Sequence, residues 1–175
     1  MIVRGRAHVL GPDVNTDYII ASKYKAKTLD IDEMAKHVFE DLDPGLVARI
    51  RPGDVIVAGR NFGCGSSREA APRVLRAAGI TAILATSFAR IFFRNSINLG
   101  LPVLPCETAT IADGSEVEID FDRGRVRDLT AGREVAAAPL HPVMLGILQD
   151  GGLAAHFRRH GGYALDARAA DHAGA

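Results

Sequence analysis

DVIVAGRNFGCGSSREAAPRVLRAAGITAILATSFARIFFRNSINLGLPVL, residues 54–104, alternates three short apolar runs with two longer segments of helical period. Residues 54–58, 82–85 and 102–104 are almost wholly apolar, as strands are when both sheet faces are covered. Residues 66–78 and 88–99 read as helices, stopped by Gly79 and Gly100. Strand–helix alternation at this spacing builds a parallel βαβαβ core with right-handed crossovers. The fold class is therefore α/β.

Upstream, residues 2–10 alternate as a strand that Gly11-Pro12 ends. Residues 11–29 are rich in turn formers and lack a clean period, and long irregular connections of this kind are often functional. Residues 30–41 read as a helix: Asp30 can cap it, Glu33 follows three residues on, and Ile31, Met34, Ala35 and Val38 share a face. Downstream, residues 116–121, 125–129 and 133–137 form a small antiparallel meander, and residues 142–149 and 153–160 two short helices. Residues 1–162 are expected to make one domain, with 163–175 a frayed tail.

Lys plus Arg equals Asp plus Glu at 21 each, so no global field points to nucleic acid or an anionic membrane. No apolar run approaches the roughly 20 residues of a membrane span, and the first residues carry no signal-peptide pattern; a cytoplasmic location is expected. The two cysteines, Cys64 and Cys106, form no Cys-x-x-Cys pair and cannot supply the thiolates of an iron–sulfur cluster. His156 and His160 lie four apart, but with no third ligand nearby in sequence they read as a solvated face, so no metal is expected on this chain. Arg90 and Arg94 share a helix face and read either as contacts to substrate or cluster or as surface or interface ion-pairing residues, the latter preferred.

Chemistry concentrates in residues 59–79. Gly63 and Gly65 permit a tight turn, and Ser66, Ser67 and Arg68 fall where the following helix is expected to begin. Two hydroxyls, unpaired backbone N–H groups and a guanidinium at one point suit an anion such as a carboxylate or phosphate. A glycine-rich turn with a capping serine gives the same pattern. The segment lacks the Gly-Lys-Ser/Thr ending of a P-loop, but a non-catalytic anion- or nucleotide-binding module remains open.

Residues 61–69 (NFGCGSSRE) resemble the Gly-x-Gly-Ser-Ser-Arg-Glu signature of the aconitase superfamily's swivel domain. The likeness extends to residues 87–95 (SFARIFFRN), to Asn98 and Gly100-Leu101-Pro102, and back to residues 14–20 (VNTDYII). Length and the missing cluster cysteines fit the free-standing small subunits of isopropylmalate dehydratases and homoaconitases. The resemblance implies a three-layer, swivelling β/α/β domain with a central, mostly parallel sheet and a small antiparallel β appendage. It implies a hydro-lyase active only with a large subunit that carries a [4Fe–4S] cluster, none being bound by this chain alone. The substrate would be a small hydroxy-dicarboxylate: 2- and 3-isopropylmalate in leucine biosynthesis, with homoaconitate or a dimethylmalate-type acid as alternatives.

By motif, the resemblance makes Ser66 the alkoxide base that removes a proton alpha to a carboxylate, and Asp17 a second catalytic residue. Ser67 and Arg68 would clamp a substrate carboxylate. In family members the loop after Asp17 selects the substrate; here it reads Tyr24-Lys25-Ala26-Lys27-Thr28. Ala26 facing the pocket would favour an alkyl group, and Lys25 or Lys27 a carboxylate. A serine hydroxyl is a poor base at neutral pH. A helix N-terminus contributes roughly 0.3–2 kcal/mol, about one pK unit, so further cationic charge and exclusion of water must supply the rest.

Overall fold

The structure, a computed structural model, describes residues 1–163; residues 164–175, nearly all of the expected tail, and the Lys25 side chain lie outside the described residues. Seven strands form one mixed sheet in the order β4-β3-β2-β1-β5-β6-β7. β1 (Ile2–Leu10), β2 (Val55–Ala58), β3 (Ala82–Ala85) and β4 (Val103–Pro105) run parallel. β5 (Glu116–Asp120), β6 (Arg125–Asp128) and β7 (Arg133–Ala136) are antiparallel and join the parallel half through β1. Every residue of β2 and β3 is buried, whereas β6 alternates exposed and buried positions. The parallel half is thus covered on both faces and the antiparallel half on one.

β1 changes partner along its length. Ala7–Leu10 register with Val55–Ala58 in parallel, and Ile2–Arg6 with β5 in antiparallel sense. At the changeover Gly5 meets the turn before β2 so closely that a Cβ there would lie 2.0 Å from the Gly53 carbonyl oxygen. The same end of β2 is tied to β1 by the buried His8 Nε2, which donates to Asp54 Oδ2 at 2.7 Å.

The helices are α1 (Thr16–Ile19), α2 (Ser22–Lys25), α3 (Ile31–Ala35), α4 (Leu46–Arg49), α5 (Ala70–Ala77), α6 (Arg90–Asn98), α7 (Pro142–Gln149) and α8 (Leu153–His160). Two differ instructively from expectation. The helix expected over 30–41 ends at Ala35, although Asp30 caps it as foreseen, accepting from the Asp32 and Glu33 N–H groups. Phe39, fully buried, turns into left-handed backbone (φ 60°) and donates its N–H to the Ile19 carbonyl. Burying that ring outweighs local helix propensity.

α5 starts at Ala70, four residues later than Ser66. Pro72 explains the delay: inside a helix it would clash with the Arg68 carbonyl and leave it without a partner, so it is tolerated only in the first turn. Residues 66–68 are therefore loop, and the α5 dipole does not begin at Ser66.

Candidate functional site

The loops that leave the carboxyl ends of β1, β2 and β3 continue the sheet's register, which is where open α/β sheets place their ligands. Asn15 bridges to Cys64 and Phe62 to Phe88. The Gly63 N–H donates to the Val14 carbonyl at 2.8 Å, Thr16 N–H to Cys64 at 2.8 Å and Ala89 N–H to Phe62 at 2.9 Å. Three loops distant in sequence thus form one platform.

Beneath it lies an aromatic cluster. Phe62 packs edge-on against Phe88 and Phe92, with ring centroids 6.1 and 5.3 Å away. Gly63 stands over this cluster at φ +76°, and a Cβ there would lie 2.1 Å from Phe92 Cγ. The tight turn foreseen at Gly63 is a close approach to α6 as much as a matter of backbone freedom.

Ser66 is exposed, as is Ser67. The buried Thr16 fixes Ser66: the Ser66 N–H donates to Thr16 Oγ1 at 3.2 Å, the two side-chain oxygens are 3.1 Å apart, and Thr16 Oγ1 lies 3.2 Å from the Ser66 carbonyl oxygen. The Ser67 carbonyl accepts from Asn95 Nδ2 at 3.4 Å, so α6 holds the loop from the other side.

A cleft of about 560 Å³ opens here, lined by Gly63, Gly65, Ser66, Ala89, Arg90, Ile91 and Arg94. Of the expected site residues, it contains Ser66. The helix start that faces it is that of α6, whose cap Ala89 has no side-chain hydrogen bond to the first turn. Arg90 and Arg94 are exposed. They line the cleft beside the exposed Ile91, and no ion pair among the described residues of this chain engages them.

Arg68 and Asp17 come together, but with each other. Arg68 Nη1 donates to Asp17 Oδ1 at 2.6 Å and to the Ile20 carbonyl at 3.4 Å, while Nη2 donates to Ser22 Oγ at 2.8 Å. Ser22 Oγ in turn donates to Asp17 Oδ1 at 3.0 Å. The Arg68 guanidinium holds the Asp17 carboxyl below the usual carboxylate range, against partial burial, with Ser22 adding to the effect. Arg68 thus fastens the α1–α2 segment to the loop after β2.

Ala26 closes α2, its N–H donating to the Ser22 carbonyl. Lys27 Nζ lies 5.9 Å from the Tyr24 ring centroid. Neither lines the cleft. Tyr24 is itself anchored, stacking on His37 with centroids 3.9 Å apart and donating its hydroxyl to Glu40 at 2.5 Å.

The two thiols do not make a cluster site. Cys106 is buried, and burial pushes its thiol up to about 12, with Glu107 contributing; it stays protonated where an iron ligand must be thiolate. Cys64 Sγ lies 3.6 Å from the Asp13 carbonyl oxygen. This donor set does not fit an iron–sulfur cluster.

His156 and His160 are not a solvated face. Asp150, which ends α7, accepts at Oδ2 from His156 Nδ1 at 2.7 Å and from His160 Nε2 at 2.9 Å, and Arg159 donates to its Oδ1. His156 is 1 % exposed. These spacings are those of hydrogen bonds, shorter than the about 3.3 Å edge of a tetrahedral zinc site. His156 Nε2 is buried without a partner, whereas metal-bound imidazoles normally engage their second nitrogen.

Comparison with known proteins completes the picture. The aconitase C-terminal domain family matches residues 22–110. A 3-isopropylmalate dehydratase small subunit from Archaeoglobus fulgidus is 50 % identical over 157 residues, 90 % of this chain and 95 % of the relative. A methanogen homoaconitase small subunit from Methanothermobacter thermautotrophicus is 52 % identical over 156 residues, 89 % of this chain and 91 % of the relative. The crystal structure of a 3-isopropylmalate dehydratase from Methanocaldococcus jannaschii superposes with a TM-score of 0.87 at 42 % identity, covering 92 % of this chain and 96 % of that one.

Proposed function

This chain belongs to the aconitase C-terminal domain family and, within it, to the small subunits of 3-isopropylmalate dehydratase, and from that premise we propose how its cleft works. It is one part of a hydro-lyase that interconverts 2- and 3-isopropylmalate by dehydration and rehydration in leucine biosynthesis. The partner is a large subunit that closes over the cleft and carries the [4Fe–4S] cluster for which this chain lacks the ligands. The complex acts in the cytoplasm. Among the described residues, no helix is long and apolar enough to cross a membrane.

The observation that carries the reading is an exposed Ser66 hydroxyl held at the mouth of a cleft whose other wall presents Arg90 and Arg94. A dicarboxylate is drawn in by the two guanidinium groups. Ser66 Oγ, as alkoxide, takes the proton from the carbon alpha to a carboxylate, and the electrons of that C–H bond form the alkene. The C–O bond on the neighbouring carbon breaks, its hydroxyl leaving with that bond's electron pair towards the large subunit to be protonated to water. In the reverse direction the same oxygen returns the proton.

The positive field also makes the base feasible. Cationic charge lining the same cleft as Ser66 favours the alkoxide over the alcohol. The effect grows when a partner excludes water from the cleft. α6 therefore supplies the charge that the α5 start cannot. Arg68 and Asp17 hold the α1–α2 segment in place, and Ser67, beside them, completes the carboxylate clamp. Lys25, Ala26 and Lys27 belong to the segment that the closing partner presses towards the substrate.

A second reading, homoaconitase, is favoured by the 52 % identity to a small subunit of that name. Coexpression with the large subunit under anaerobic conditions, followed by kcat/KM for isopropylmaleate and homoaconitate hydration, separates the two. The isopropylmaleate value should be the larger. In the same complex, Ser66→Ala is expected to lower turnover by about 10³-fold or more while subunit association survives. Near-normal turnover would remove Ser66 from the role of base.

A further inference from the structure

We infer that Thr16 is a positioning residue whose hydroxyl switches hydrogen-bond partner as Ser66 gains and loses its proton. The inference rests on Ser66 being the base and adds a residue to that machinery.

Thr16 is 1 % exposed, and among the described residues its hydroxyl meets only Ser66, at three atoms. The Ser66 N–H occupies one lone pair of Thr16 Oγ1. Thr16 has a single hydroxyl proton and two acceptors for it at nearly equal range, the Ser66 carbonyl oxygen at 3.2 Å and Ser66 Oγ at 3.1 Å. It can serve one at a time. While Ser66 is neutral, Thr16 donates to the carbonyl and Ser66 Oγ–H can donate to the remaining Thr16 lone pair. When Ser66 is an alkoxide, the Thr16 O–H turns to Oγ, the stronger acceptor.

Only a rotation about the C–O bond is needed, because the Thr16 backbone is fixed. Its N–H donates to the Cys64 carbonyl at 2.8 Å and its carbonyl accepts from Ile20 at 3.1 Å. The threonine proton never leaves its oxygen. The proton that moves goes from the substrate carbon to Ser66 Oγ, and the C–H electron pair becomes the π bond. The C–O bond on the adjacent carbon breaks, its electrons leaving with the hydroxyl that departs as water. Gly65 leaves room for this arrangement: a Cβ there would already lie 3.3 Å from Thr16 Oγ1.

The test uses the assembled, anaerobically prepared enzyme with Thr16→Val, Thr16→Ala and Thr16→Ser, alongside Ser66→Ala. Loss of a donor aimed at a developing oxyanion typically costs about 10²–10³ in rate. Thr16→Val and Thr16→Ala should therefore lose about 10²-fold in kcat with KM within about threefold. The rising limb of kcat against pH should move to higher pH by about one unit or more, since the alkoxide has lost its donor. Thr16→Ser, which keeps the hydroxyl, should return both quantities to near the parent values. If both hydroxyl-free variants turn over normally while Ser66→Ala is inactive, Thr16 has no such role and the base assignment stands. A rate loss without the pH displacement, or one that Thr16→Ser fails to repair, makes Thr16 a packing residue and overturns the inference. An active Ser66→Ala enzyme removes the base and the switch together.

Discussion

Around Asp150 nearly every charge has an answer within the chain, whereas around Ser66 two guanidinium groups face open space. Asp150 gathers His156, His160 and Arg159 at the junction of α7 and α8, with its own side chain 7 % exposed. One ring nitrogen, His156 Nε2, is the single buried side-chain N or O atom without a partner among the described residues. The Ser66 cleft leaves Arg90 and Arg94 without ion pairs among the described residues, beside an exposed isoleucine, in a space of about 560 Å³. A largely neutralised, enclosed cluster stabilises a fold and leaves only one buried ring nitrogen unengaged. Exposed cations beside a hydroxyl do little for folding and retain their capacity for binding. The two regions should therefore fail differently when altered.

The largest difference lies in stability. Asp150→Asn keeps the shape but removes the charge and one of the two oxygens that receive the three donors. It should lower Tm by roughly 5–10 °C and leave turnover per folded enzyme within about twofold. Differential scanning calorimetry and anaerobic assays on the same preparation check both halves. His156, with His160 and Arg159 assisting, holds the Asp150 carboxyl below its usual range against burial. A carboxyl depressed in the folded state stabilises above the unfolded value of about 3.9. That contribution is lost as pH falls through the lower folded value, so the parent should lose part of its Tm between about pH 4 and the folded value. Asp150→Asn should lack that part of the decline.

At the cleft the same logic predicts the opposite profile. Arg94→Ala should raise KM for the dicarboxylate by about 10-fold, the worth of one charged hydrogen bond at roughly 1.4 kcal/mol. Tm should shift by less than about 2 °C, because no intramolecular partner is lost. Titration calorimetry with the large subunit separates substrate binding from assembly: a weakened subunit Kd with unchanged KM would reassign Arg94 to the interface.

How much of this contrast the sequence reveals depends on whether a feature is local. β1, β3, α7 and α8 begin and end where alternation, glycine and proline place them. The Ser66 turn is legible because it is one contiguous motif. The start of α5 is legible too, since Pro72 forbids a helix that begins at Ser66, although the serine-cap pattern points to the earlier start. The end of α3 could not, because the bond that breaks the helix runs from Phe39 to Ile19. Thr16 sits beside Asp17 in a recognisable block, yet its contact with Ser66 spans 50 positions. Asp150 is six residues from His156, outside metal-ligand spacings but within reach once α7 and α8 fold back on each other. Arg90 and Arg94 lie in a recognisable block on one helix face, but only the fold shows that this face borders the Ser66 cleft.

Arg68 and Asp17 sit between the two regimes, and they set the smallest effect. Their contact at 2.6 Å is an internal ion pair like those at Asp150, yet Asp17 remains 52 % exposed and Arg68 20 %. An ion pair that water reaches contributes at most about 1 kcal/mol, so Asp17→Asn should change Tm by no more than about 2 °C. Arg68 depresses the Asp17 carboxyl, so the pair is intact at neutral pH and opens only as pH falls below the ordinary carboxylate range. Its effect belongs to order. With the charge gone, only neutral acceptors hold Arg68, and the α1–α2 segment should exchange its amide hydrogens several-fold faster while β2 and β3 are unchanged. Hydrogen-exchange mass spectrometry of the lone chain at pH 7 and pH 4 reads this directly. If Asp17→Asn leaves residues 16–25 exchanging at the parent rate, the Arg68 fork does not fasten that segment and is free for a substrate carboxylate.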